Sequence, residues 1–311
     1  VVYFVDHFFH DHELSGRLPM EKGDQLHFVD SSSEPEVTRI DAFKEAVSAA
    51  DSRTPCCVVG IGGGNALDTA KAVANLLTNP GPAEDYQGWE LVKNPAVYQI
   101  GIPTLSGTGS ECSLTCVLND IPTSLKLGMN SDYTVYDQLL LDPDLLATVP
   151  RDQYFYTGID TFMHCVESLQ GSYRNAIIDA FSVRAVQLCE EIFLSDDMMS
   201  EDNREKMMIA SYIGGMAAGN VGVIYPKEYQ QFRTMIERQG VNLPTGICKD
   251  LTEEQYEGLY RGCIVHEKPL TNALGPDFKQ ILTRENLIER YKSIYRELPG
   301  GLAPARDHAA P

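Results

Sequence analysis

Between Val58 and Val73 the chain reads VVGIGGGNALDTAKAV. An apolar, β-prone run passes into four glycines within five residues, Gly60 to Gly64, and then into a helical pattern. Glycine lets backbone adopt positive φ and lets another group come close to it. Asn65 is placed to cap the helix, and Asp68 stands three residues on, where a capping-box side chain reaches back. A helix N-terminus offers free N–H groups and the positive end of a dipole, which together suit a pyrophosphate. The loop is neither of the common phosphate motifs. A P-loop needs Gly-Lys-Ser/Thr at its end, and Asn65 stands where the third glycine of GxGxxG belongs. A tight strand–helix turn packed by glycine is the plain alternative. A second loop, IPTLSGTGSE (Ile102–Glu111), also follows an apolar strand and is also rich in Gly, Ser and Thr. Two such loops at strand ends point to an extended ligand, a dinucleotide rather than a lone phosphate.

Composition narrows the classes. The 311 residues suffice for two domains, and 44 acids against 25 bases leave a net charge of -19. That balance disfavours a nucleic-acid surface, which needs a basic stripe, and equally an anionic membrane surface. No apolar run has the length of a membrane span. The opening VVYFV is too short for a signal core and reads as a buried strand. Eight scattered cysteines without CxxC pairs read as buried thiols in a reducing cytoplasm.

Strand patterns at Val1–Val5, Leu26–Val29, Cys56–Gly60, Val97–Pro103 and Tyr133–Leu141 alternate with helical ones at Glu36–Ala50 and Asn65–Leu77. That alternation predicts a parallel α/β sheet. Thr78–Trp89 reads as a loop. After Pro150 helical periodicity takes over: Asp152–Leu169, Asn175–Leu194, Asp202–Ala218, Pro226–Gln239, Thr252–Ile264 and Thr283–Leu298. The expected division is an α/β domain over 1–149, a helical domain over 150–298 and a mobile tail over 299–311. In GIDTFMHCVES, Asp160 and His164 stand four apart, one helical face that can offer two ligands to a divalent metal. An Asp–His hydrogen bond within the helix is the plain alternative.

GIGGGNALDTAKAV, IPTLSGTGSE and GIDTFMHCVES, in that order, resemble the iron-containing (group III) alcohol dehydrogenases. The resemblance implies a Rossmann-like dinucleotide-binding domain, a helical domain, and Fe²⁺ or Zn²⁺ in the cleft between them, the dehydroquinate synthase-like fold. It implies that Gly62, Gly63, Gly64 and Asn65 hold the pyrophosphate, with Asp68 near the nicotinamide ribose or substrate. Thr104, Thr108 and Ser113 would line the cofactor, and Lys126 would bind it. Asp6 would bond the adenosine ribose and favour NAD over NADP. Asp160 and His164 would be metal ligands and act in catalysis through the metal. A homodimer acting on a small molecule is also implied. YQGWELVKNPAVYQIGIPT, LKLGMNSDYTVYDQ, HCVESLQGSY and EKPLTNALGP resemble the branch that oxidises 3-deoxy-D-manno-octulosonate (Kdo), a sugar acid, at its C8 hydroxyl.

The chain departs from the family in one respect. Two further histidine ligands are implied downstream, yet the seven histidines are 7, 10, 12, 27, 164, 266 and 308. The text jumps at Val223–Ile224 from one family segment to a later one. Either that segment is deleted, or the residues are joined across an unseen loop. His266 reads as a surface or cleft residue. A polyol or short-chain alcohol dehydrogenase, a metal-less dinucleotide-binding protein and a dehydroquinate-synthase-like lyase are the other readings.

Overall fold

A computed structural model describes residues 1–170, 174–217, 226–241 and 251–294. The strands are β1 (Val2–Asp6), β2 (Gln25–Val29), β3 (Val58–Gly62), β4 (Gly88–Trp89), β5 (Gln99–Pro103), β6 (Thr115–Asp120), β7 (Leu125–Asn130) and β8 (Gln138–Leu139). The α-helices are α1 (Glu13–Gly16), α2 (Val37–Ala50), α3 (Gly64–Leu76), α4 (Arg151–Ser168), α5 (Ala176–Phe193), α6 (Glu201–Ala217), α7 (Pro226–Gln239), α8 (Glu253–Ile264), α9 (Glu267–Leu274), α10 (Phe278–Ile281) and α11 (Arg284–Ile294). Among the described residues, every strand precedes α4. None of the described helices is long and apolar enough to cross a membrane.

Five strands form a sheet in the order β2-β1-β3-β5-β8, with every neighbouring pair parallel. β1 shows why. Val2 and Phe4 point into one core and Tyr3 and Val5 into another, so both faces are buried, as a parallel sheet requires. From β1 the chain moves to β2 on one side and then to β3 on the other. The crevice at the carboxyl ends of β1 and β3 is therefore a topological switch point, where open α/β sheets bind ligands.

β6 and β7 form an antiparallel hairpin, to which β4 adds in parallel. The expected strand over Tyr133–Leu141 is present only as Gln138–Leu139. Ser131 caps a short 3₁₀ turn over Asp132–Thr134, which takes the chain out of extended geometry first. The expected loop over Thr78–Trp89 contains a 3₁₀ turn, Ala83–Tyr86, as well as β4.

The second core joins α4, α5, α6 and α7 around Phe155, Phe162, Phe193 and Met207. One face of α4 supplies Tyr154, Phe155, Phe162 and Cys165 to it. Asp160, His164 and Glu167 share a second stripe, which is not fully buried. Thiol burial is mixed: Cys116, Cys165 and Cys189 are buried, whereas Cys56 is exposed, because β3 starts two residues after it. The Val223–Ile224 junction, Cys248 and the tail over 299–311 lie outside the described residues.

Candidate active site

Asp6 ends β1, and the glycine turn ends the adjacent β3, with Val5 paired to Ile61. Asp6 Oδ2 accepts from Ser31 Oγ at 2.8 Å, and Oδ1 accepts from the Phe8 N–H at 3.0 Å. The carboxylate is thus oriented before any ligand arrives. It lines a cavity of about 170 Å³ together with Thr104, Leu105 and Phe8. Thr104 N–H donates to the Gly62 carbonyl at 2.9 Å, which binds the two glycine-rich loops together.

The expected capping arrangement is corrected. α3 begins at Gly64 with Gly63 as its N-cap, and no side chain caps it. Asn65 lies inside the first turn, where Nδ2 donates to the Ser33 carbonyl at 2.8 Å. It ties the loop after β2 to the helix. Asp68 lies too far along α3 to reach back. Its carboxylate accepts from Ser110 Oγ at 2.5 Å and from the Val117 N–H at 2.9 Å. The bare helix N-terminus keeps its N–H groups unclaimed by any side-chain cap, which is what an anion site needs.

The glycines serve loop contact as well. A Cβ on Gly63 would come within 2.8 Å of Leu105 Cδ1, and one on Gly64 within 3.2 Å of Thr108. The first loop therefore rests on the second. Ser113 is buried, with its hydroxyl 3.3 Å from Lys71 Nζ. Lys71 is fully buried and donates to the carbonyls of Ser110, Ser113 and Thr115 at 2.7–2.9 Å. Burial pulls its pKa down, and the nearby Asp68 carboxylate opposes that shift. Asp68 and Glu111 are buried too, and burial raises both. The second loop is thus shaped from beneath by a buried lysine.

From above, the same loop is held by the helical bundle. Gly107 N–H donates to Ser211 Oγ at 2.8 Å, Thr161 Oγ1 donates to the Gly107 carbonyl at 2.9 Å, and Ser211 Oγ donates to Glu111 at 2.9 Å. Gly109, at φ 65°, packs so closely on Gly215 of α6 that a Cβ would lie 2.3 Å from its Cα. Lys71, Glu111, Thr161 and Ser211 escaped sequence reading. A lysine inside the apolar stretch ALDTAKAVANL was the one available signal.

On α4, His164 Nε2 lies 3.8 Å from Asp160 Oδ1. His164 Nδ1 is buried with no hydrogen-bond partner. Burial raises the Asp160 pKa, against the lowering effects of His164 and Lys126. Lys126, on β7, pairs with Glu34 at 2.9 Å. It is not on the glycine turn, and its charge acts on both Asp68 and Asp160. An imidazole whose Nε2 stands near a carboxylate suits a metal ion in chemistry. Among the described residues, however, no group of three or more His, Cys, Asp or Glu is placed to hold one. Asp160 and His164 supply two ligands, half of the four that the resemblance implies and fewer than the three or so protein ligands a catalytic metal needs.

An open parallel sheet with a glycine turn and a carboxylate at its switch point is a nucleotide-binding architecture. The family model for iron-containing alcohol dehydrogenase matches residues 13–143, and that for the C-terminal part of the Fe-containing alcohol dehydrogenase family matches residues 154–227. The chain belongs to the iron-containing alcohol dehydrogenase family. It is 35% identical over 204 residues to sulfoacetaldehyde reductase of Bilophila wadsworthia, covering 64% of this chain and 51% of that protein. To the NAD-dependent methanol dehydrogenase of Bacillus methanolicus it is 32% identical, over 59% of this chain and 47% of the relative. The chain spans about half the length of these curated relatives. Among solved structures, sulfoacetaldehyde reductase from Bifidobacterium kashiwanohense in complex with NAD⁺ superposes with a TM-score of 0.75 at 22% identity, covering 94% and 90% of the two chains. Alcohol dehydrogenase from Oenococcus oeni gives 0.79 at 19%, covering 94% and 92%. Both share the fold.

Proposed function

We propose that this protein is an NAD-dependent oxidoreductase that interconverts a primary alcohol and its aldehyde. The observation that carries this is the pairing of Asp6 with an uncapped glycine turn at the switch point, in a member of this family. Bound NAD would supply a hydride acceptor, so that oxidation of the alcohol to its aldehyde would yield NADH and one proton released to water. The residues of this chain bind and orient. The α3 N-terminus takes the pyrophosphate, the Asp6 carboxylate takes a ribose diol, and the second glycine loop positions the nicotinamide. Asp6 repels a 2′-phosphate, which favours NAD over NADP.

The finer reading is a sugar-acid alcohol such as the C8 hydroxyl of Kdo. Three of the phrases that support it converge on one face: Trp89, Lys126 and Lys268 belong to the segments YQGWELVKNP, LKLGMN and EKPL, and Lys268 Nζ lies 3.4 Å from the Trp89 ring centroid. A homodimer in the cytoplasm is part of this reading. NADH absorbance with Kdo, 2-hydroxyethanesulfonate and methanol, with and without Fe²⁺ or Zn²⁺, tests it. NADH formed with an alcohol supports the enzyme. NAD bound without turnover favours a non-catalytic dinucleotide-binding protein, a second reading prompted by the half ligand set. A product without net NADH indicates a lyase.

A further inference from the structure

A cleft of about 1000 Å³ opens between the β6–β7 hairpin and helices α8, α9 and α11. Ser124 and Lys126 line it from the hairpin side, Gln255 and Arg261 from α8, and His266 from the start of α9. Its charge runs against that of the molecule. The chain carries -19 overall, yet two of the three lining side chains with a permanent charge are cationic, Lys126 and Arg261. Glu254 is the third. It stands seven residues before Arg261 on the same helix, and among the described residues no ion pair joins the two. Lys126 is shared with Glu34. Among the described residues, the Arg261 guanidinium has neither an ion-pair partner nor a side-chain hydrogen bond.

We infer that this cleft is the binding site for a small hydroxylated anion, with the Arg261 guanidinium receiving its carboxylate or sulfonate group. The inference rests on the oxidoreductase reading for its biological sense and deepens it by naming the substrate class. A guanidinium presents paired N–H donors that match two oxygens of a planar carboxylate or of a sulfonate. Ser124 and Gln255 offer the donors and acceptors that hydroxyl groups need.

The chain contains its own reporter. Trp89 is its only tryptophan, and its ring lies under Lys268, in the helix whose Pro269 and Leu270 line the cleft. Titration of the cofactor-free protein with D-gluconate, 2-hydroxyethanesulfonate and neutral D-sorbitol, followed by tryptophan emission and by calorimetry, reads binding without turnover. The expected result is saturable binding of both anions and none of sorbitol. Arg261→Gln should weaken the anions about tenfold to a hundredfold, the usual worth of a charge-assisted hydrogen bond, and Arg261→Lys should restore part of that. Arg261 is exposed, so neither change threatens the fold. Equal binding of sorbitol, unchanged affinity in Arg261→Gln, or no heat and no emission change with either anion would overturn the assignment. Anion binding that depends on Arg261, together with no NADH from any alcohol, would instead reject only the oxidoreductase reading.

Discussion

Three side chains carry most of what the site can do, each for a different physical reason. Asp6 is a carboxylate held in place by Ser31 Oγ and the Phe8 N–H at the end of β1. Asp6→Ser should lower the preference for NAD over NADP by about tenfold, because both the diol acceptor and the repulsion toward a 2′-phosphate disappear. The ratio of the two dissociation constants checks this, and an unchanged ratio removes Asp6 from the role. Lys71 fills a buried position with a charge. Lys71→Met removes a donor from three carbonyls, takes the nearby positive charge from Glu111 and leaves Asp68 with Lys126 alone, so it should cost about 3–5 kcal/mol in denaturant unfolding. Glu167 is partly buried on α4. Burial, and next the charge of Asp160, pushes its pKa from 4.5 up to about 7. The folded state holds this proton more tightly than the unfolded chain does. Its stabilising contribution is therefore present below the ordinary carboxylate pKa and is lost as pH rises through about 7. Glu167→Gln should unfold at a higher temperature than the parent in metal-free buffer, with a gap that widens from about pH 5 to about pH 8. A gap that narrows over that range would contradict the assignment.

At the scale of elements, the second glycine loop is held by both halves of the chain, by Lys71 below and by Thr161 and Ser211 above. The same helix that meets Gly107 carries Asp160 and His164, so this contact sets the distance between the proposed cofactor loop and that pair. Ser211→Ala leaves the buried Gly107 N–H without its acceptor and removes one donor from Glu111, and should cost about 1–3 kcal/mol in stability. It should lower kcat more than it weakens NAD, since the pyrophosphate loop lies elsewhere. A change in NAD affinity alone would show that the contact does not govern alignment. The strand-to-helix rhythm of the first half was readable because buried parallel strands and an Ala-rich helix have strong, distinct periods. The β6–β7 hairpin was not. Its turn, Ile121–Ser124, lacks the Asn-Gly type of signal, with Ser124 taking the left-handed position at φ 55°, and a polar Asp120 occupies an inward position. The two glycine-rich loops could be read from their glycines. Their fastening could not, since Ser211 lies 104 residues from its partner Gly107 and no local pattern records so distant a contact.

At the scale of the whole molecule, charge sets the balance. With 44 acids and 25 bases, at least 19 carboxylates have no basic side chain to pair with, even if every base is paired. The ion pairs that do form, such as Lys126–Glu34 and Arg284–Glu257, are largely exposed, so each contributes little. Salt weakens both the pairs and the long-range repulsion. The Debye length falls from about 30 Å at 0.01 M to about 8 Å at 0.15 M, which spares contacts near 3 Å more than repulsions across the surface. Net repulsion among surplus carboxylates disfavours the compact state, so its screening should dominate. Raising NaCl from about 10 mM to about 150 mM should therefore increase the Tm by a few degrees, and an equal osmolarity of a neutral solute should not reproduce the salt curve. The same salt should weaken anion binding in the Arg261 cleft, because chloride competes and the attraction is screened. Salt thus stabilises the fold while loosening the proposed anion, and parallel thermal and binding titrations would show the two curves moving in opposite directions. A Tm that falls with added salt would mean that paired charges, not surplus ones, govern the stability of this chain.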